Sequence, residues 1–308
     1  MERVSYKLAG ILLVSLIACL GTIPFGYHFA DTLRIENLIV KESIGYLFAI
    51  TAALANFALG AYSLLCIGRC KAAFNSVWLM IACLLIAIPT GFICFWGYYE
   101  TLPFYLNLTM SFAVTLANAG IDYTAINNFI LSVRERRAER SATKKIIKTL
   151  GFMVGLIASL TFYVVATDGL INLFSSHTKS AWLVYSSYIL AFFIWLPSAA
   201  LFANATLHVS EKLLQLTESV KPKITLNRWY SSLILLIAIL SGASLAQIVI
   251  EFFAVTQNIP AIFKVNAIQD FIRYGLMPLA FISSSAVNYL ALLNLANNWC
   301  EYQSRKIV

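Results

Sequence analysis

Eight stretches of this chain are apolar for long enough to cross a lipid bilayer, and nothing else in the sequence limits the fold so strongly. A hydrocarbon core of about 30 Å takes roughly 20 residues of helix to span. The stretches lie near residues 8 to 28, 44 to 67, 74 to 98, 104 to 132, 147 to 167, 182 to 205, 230 to 256 and 271 to 297. Their apolar residues run on rather than alternate, and a backbone in lipid must satisfy its own amides, so helices are predicted and barrel strands are not. Composition agrees: the chain is 60% hydrophobic and 12% charged, where a soluble domain holds about 45–50% and about 25%. The expected fold is an all-α integral membrane protein, a bundle of about eight transmembrane helices.

The first stretch continues past Leu20 through Ile23 and Phe25 without an Ala-x-Ala-like cleavage site, so it is expected to stay as a helix rather than leave as a signal peptide. Cys19, Cys66, Cys70, Cys83, Cys94 and Cys300 lie in spans or near inner ends, and no structural disulfide is expected.

Threading the eight spans from a cytoplasmic N-terminus places seventeen of the 22 Lys and Arg residues on inner segments. The outer segments hold only Arg34, Lys41, Lys179, Lys264 and Arg273. An odd number of spans would scramble this division, so the positive-inside rule predicts that both the N-terminus and the C-terminus are cytoplasmic. The net charge of +8 is spread over loops that anionic inner-leaflet lipids attract, which argues against a nucleic-acid partner. The densest cluster runs from Arg134 to Lys148 and reads as a topology anchor lying against such lipids.

Three regions follow. Residues 1–206 make a six-helix bundle, 207–229 a cytoplasmic connector, and 230–308 two further helices with a short tail. In the connector, Val209, Leu213, Leu214 and Leu216 alternate with Glu211, Lys212, Gln215 and Glu218 ahead of Pro222, which predicts a short amphipathic helix on the membrane surface.

Polar residues inside the spans carry the functional signal. In span four, Asn107, Ser111, Thr115, Asn118 and Asp122 recur at steps of four, four, three and four, along one helical face. Tyr123, Asn127 and Asn128 continue the polarity. A carboxylate near the bilayer centre costs roughly 2.5–3.5 kcal/mol on insertion scales, so this face meets protein or a wet cavity. It serves either as interhelical glue, at about 0.6 kcal/mol per hydrogen bond, or as a path for solute or protons.

Span seven has a similar face in Ser241, Ser244, Gln247 and Glu251. Helical rise places Asp122 in the inner half of the membrane and Glu251 in the outer half, roughly 16 Å apart in depth. Arg273 begins span eight from the same outer surface, so Glu251 and Arg273 form a candidate outer gate.

Enzymatic signatures are absent. There is no His-Glu-x-x-His, Gly-x-Ser-x-Gly or phosphate loop, and His28, His177 and His208 are far apart in topology, so neither enzyme activity, a metal nor a cofactor is expected.

Three local features resemble the major facilitator superfamily of secondary transporters. They are Gly21-Thr-Ile-Pro-Phe-Gly-Tyr27 at the end of span one, Gly60-Ala-Tyr-Ser-Leu-Leu-Cys-Ile-Gly-Arg-Cys-Lys71 between spans two and three, and the basic connection from Arg134 to Lys148. Leu65 and Cys66 stand where that family has Asp and Arg, while Gly68 and Arg69 keep their places. As a shortened or diverged member, the chain would move a small solute through a cavity lined by spans one, four and seven. The resemblance and the polar faces together put Asp122, Asn118, Asn127, Tyr123, Gln247 and Tyr27 on that pathway. The alternative is a non-transporting scaffold or receptor whose polar faces are packing glue. A bacterial inner membrane and an organelle membrane fit the sequence equally well.

Overall fold

The computed structural model describes residues 2–21, 23, 36–67, 76–138, 141–175, 181–217, 228–255, 270 and 272–307. Among these, the regular elements are all helical: α1 (Glu2–Leu20), α2 (Leu38–Cys66), α3 (Ser76–Gly97), α4 (Phe104–Ala138), α5 (Ala142–Ser175), α6 (Ala181–Thr217), α7 (Arg228–Val255) and α8 (Met277–Ile307). A short π-helical turn, Ile272–Leu276, leads into α8. Five helices, α2, α3, α4, α6 and α8, are long and apolar enough to cross a membrane.

Local sequence explains where the helices begin. Asn37 caps α2, its side-chain oxygen accepting hydrogen bonds from the backbone N–H of Ile39 at 3.1 Å and Val40 at 3.3 Å, which satisfies two of the orphan donors of a helix N-terminus. Ser141 does the same for α5, accepting from the Lys144 N–H at 3.5 Å. Pro89 and Pro197 lie inside α3 and α6, where each removes one backbone donor from its helix.

Consecutive helices pair as hairpins, α1 with α2, α3 with α4, α5 with α6 and α7 with α8. In every hairpin the second helix lies inside. The even-numbered helices touch in a ring, α2 on α4, α4 on α6, α6 on α8 and α8 on α2, while the odd ones pack around them. Gly60 of α2 neighbours Ala117 of α4, and Ser63 neighbours Thr124, so these two inner helices run parallel.

Lipid tails are as apolar as leucine, so close packing rather than hydrophobic burial holds such helices together. Small residues make that possible: Ala55, Ala58 and Ala61 of α2, Ala117 and Ala125 of α4, and Ala199, Ala203 and Ala205 of α6 are all buried. In the last three hairpins a glycine of the outer helix lies against a hydroxyl residue of the inner one. Gly91 faces Thr115, Gly151 faces Ser210, Gly155 faces Thr206 and Gly242 faces Ser285, each too near to admit a Cβ without movement.

One expectation changes in detail. The stretch from Val209 that was expected to form a separate amphipathic helix instead continues α6 without a break to Thr217; its last residues, 218–220, lie outside the described residues. The physical reason is that no glycine or proline interrupts residues 201–217, so the helix of span six simply propagates. Of the two helices after the connector, α8 packs against α2, α5 and α6 as well as α7. Ala158, Phe202, Ala205, Ala286 and Val287 form one buried cluster across α5, α6 and α8.

Candidate functional site

The four inner helices do not close completely at the centre of the bundle. They surround a cavity of about 90 Å³, larger than the ~10–15 Å³ needed by one water. Leu59, Ile121, Leu201, Val287 and Leu290 supply much of its wall. Each inner helix also contributes polarity: Tyr62 and Ser63 from α2, Thr124 and Asn128 from α4, Asn204 and His208 from α6, and Asn294 from α8.

Hydrogen bonds across the ring fix these groups. The Thr124 hydroxyl donates to the Ser63 carbonyl at 3.3 Å, tying α4 to α2. Asn204 Nδ2 donates to the Ala125 carbonyl at 3.0 Å, tying α6 to α4. That second bond sets the orientation of the amide, since only its nitrogen can donate to a carbonyl. Asn204 is 6% exposed, and its Oδ1 is buried without a hydrogen-bond partner.

Among the described residues, the cavity wall holds no Asp, Glu, Lys or Arg, and His208 is its ionisable member. Charge lies next to it instead. His208, which is half exposed, places Nδ1 3.4 Å from Glu211 Oε2. The other carboxylate oxygen of Glu211 lies 3.0 Å from Lys148 Nζ, near the start of α5. Glu211 thus joins the cavity-lining turn of α6 to the foot of its hairpin partner.

The polar face of span four turns out to look elsewhere. Asn107 Nδ2 donates to the Phe95 carbonyl at 2.7 Å, and Asn118 Nδ2 donates to the Thr90 hydroxyl at 3.2 Å. Thr115 lies against Gly91, and Asp122 is near enough to the buried thiol of Cys83 to act on it electrostatically. All four partners belong to α3, so the stripe forms the seam between α3 and α4. Tyr123 and Asn127 are buried but do not line the cavity.

The walls of the described cavity therefore differ from the expected spans one, four and seven. Helix α4 packs chiefly against α1, α2, α3 and α6, whereas α7 packs chiefly against α8 and α2. In the described fold the even-numbered helices form the ring and the odd-numbered ones pack around it. Tyr27 lies outside the described residues. Gln247 and Glu251 fall on α7 and Arg273 on the π-helical turn, but their side chains, and so the candidate outer gate, lie outside what is described.

Asn204 and Ser63 escaped the sequence reading, whereas Asn294 is one of several polar residues of span eight. The first two stand in separate apolar helices and generate no period. The available signal was a single asparagine amid Leu201–Leu207, an expensive residue at that depth in a span.

Comparison with family models, with curated proteins and with solved structures finds no match for this chain. The cavity and the chemistry of its wall must therefore carry the functional argument.

Proposed function

We propose that all eight helices cross the membrane with both ends of the chain in the cytoplasm, and that the protein is transporter-like, passing a small solute through the central cavity. The observation that carries this reading is the convergence of polar groups from all four inner helices on one cavity in an otherwise alanine-rich core. Polar groups in a bilayer are costly, and glue needs no cavity.

Two patterns support the membrane crossings, and the first of them also sets the orientation. One is the excess of basic residues on inner segments. The other is a pair of aromatic belts on the bundle surface: Tyr6, Trp78, Trp229 and Tyr230 near the inner ends, and Tyr99, Tyr105, Trp182, Tyr185 and Tyr274 near the outer ends, all exposed. Aromatic rings of this kind gather at the two membrane–water interfaces. In this orientation the basic connection from Arg134 to Lys148 lies against anionic inner-leaflet lipids.

The scaffold reading has one observation in its favour, the packing of the α4 stripe against α3. Cysteine accessibility separates the two. In a chain whose native cysteines are replaced by alanine, a cysteine at Asn128 or Asn294 is expected to react with a membrane-impermeant thiol reagent in inverted vesicles, and a cysteine at the lipid-facing Leu108 is not. Silence at both cavity positions from both sides of the membrane rejects transport in favour of a scaffold.

A further inference from the structure

The cavity is not centred in the bundle. Its lining residues fall within 59–63, 121–128, 201–208 and 287–294, the later parts of spans two, four, six and eight. Under the proposed orientation these are the cytoplasmic parts. His208 is the last lining residue along α6, and it lies beyond residue 205, where span six is expected to leave the hydrocarbon. Its side chain is 52% exposed, which places it where the cavity opens rather than in its depth.

An imidazole takes up or releases its charge within the physiological pH range, as amides and hydroxyls do not. Nδ1 of His208 lies 3.4 Å from Glu211 Oε2, and Glu211 Oε1 lies 3.0 Å from Lys148 Nζ. Lys148 already balances Glu211. The three groups therefore carry no net charge while the imidazole is neutral, and one positive charge once it holds a proton. Among the described residues, Glu211 on α6 and Lys148 on α5 are the charged groups beside His208. Across the cavity, α2 presents the phenol of Tyr62, while α4 and α8 present the amides of Asn128 and Asn294. A cleft with low-dielectric walls focuses the field of a charge at its mouth, so one proton changes which ions approach.

We propose that protonated His208 makes the inner mouth of the cavity a charge selector, which admits anionic solutes and turns away cationic ones, and which switches off as the imidazole loses its proton. This step rests on the reading of the cavity as a solute site.

The test uses the full chain with its native cysteines replaced by alanine and one cysteine placed at Asn294, in inverted vesicles. Sulfonatoethyl methanethiosulfonate serves as an anionic probe and its trimethylammonium counterpart as a cationic one. Thiol reactivity itself depends on pH through the thiolate, and the ratio of the two labelling rates removes that dependence. The anionic-to-cationic ratio is expected to rise about fivefold between about pH 8 and about pH 5.5. With His208→Gln the ratio is expected to stay at its high-pH value. Glu211→Gln leaves Lys148 unbalanced, and is expected to raise the ratio at high pH already, which keeps the assignment testable if the His208 variant does not fold. A cysteine at Tyr6, exposed on α1 and away from the cavity wall, is expected to show no such rise.

A ratio that stays level with pH, or that rises as steeply with His208→Gln as without it, overturns the selector and leaves the transport reading standing. A high-pH ratio that Glu211→Gln does not alter overturns the charge balance on which the selector depends. An equal rise at Tyr6 assigns the effect to the membrane surface, and overturns it as well. Silence of cysteines at both Asn294 and Asn128 towards both probes removes the transport reading together with this one.

Discussion

At the residue scale, the bundle depends on positions where a side chain is missing. A Cβ at Gly155 would sit 2.5 Å from both the Phe202 carbonyl and the Thr206 hydroxyl, and 2.6 Å from Ala203 Cα. Two of these three atoms are backbone, so they cannot swing aside. Gly155→Ala is therefore expected to destabilise the α5–α6 hairpin by about 1–3 kcal/mol, as overpacking of a filled core does, read as a lowered unfolding midpoint in mixed micelles. Asp122 makes the opposite case. It lies in a seam beside a buried thiol, where a neutral amide fits as well and sheds a carboxylate from an apolar place. Asp122→Asn is expected not to lower the midpoint, and a marked loss of stability would show that the carboxylate has a structural partner. Residue identity alone told the two classes of polar group apart poorly. Asn118 and Asn204 are the same side chain in similar apolar surroundings, yet one binds Thr90 across a seam and the other lines a cavity.

At the element scale, helical period showed which residues of α4 share a face, and Asn107, Thr115 and Asn118 of that face all meet α3. What period cannot supply is the neighbour, because a stripe looks the same from inside whichever helix covers it. The cavity faces were harder still to read, since each inner helix gives only one or two polar groups. The helix after span six was read as a separate element for a related reason. The amphipathic pattern after Val209 describes a change of surroundings along one continuous helix, not a break in it. That extension brings Glu211 to Lys148. The pair is partly exposed, and solvent screens such contacts, so a double-mutant cycle with Lys148→Gln and Glu211→Gln is expected to give a coupling of at most about 1 kcal/mol that shrinks with added salt. A coupling of several kcal/mol, unaffected by salt, would place the pair in a drier setting than its exposure indicates.

At the scale of the whole molecule, the all-helical character of the described residues was legible because apolar length is a property of whole segments, insensitive to single residues. The ring of four inner helices was not, although the outer α3 is the most apolar of the five candidate spans and the inner α4 the least, because helix neighbours in lipid are set by close packing rather than by hydropathy. Orientation is testable independently of function: a reporter fused after Val308 is expected to be active in the cytoplasm, and replacing the basic residues between Arg134 and Lys148 with glutamine is expected to yield a fraction of molecules with mixed topology. The central claim is that the solute site is the cavity among the inner helices, and not the polar seam of α4. Labelling of a cysteine at Asn294 by a membrane-impermeant thiol reagent in inverted vesicles, set beside labelling of a cysteine at Asp122, tests it most directly. Reaction at the first position and silence at the second is the predicted result; reaction at Asp122 and silence at Asn294 would contradict it.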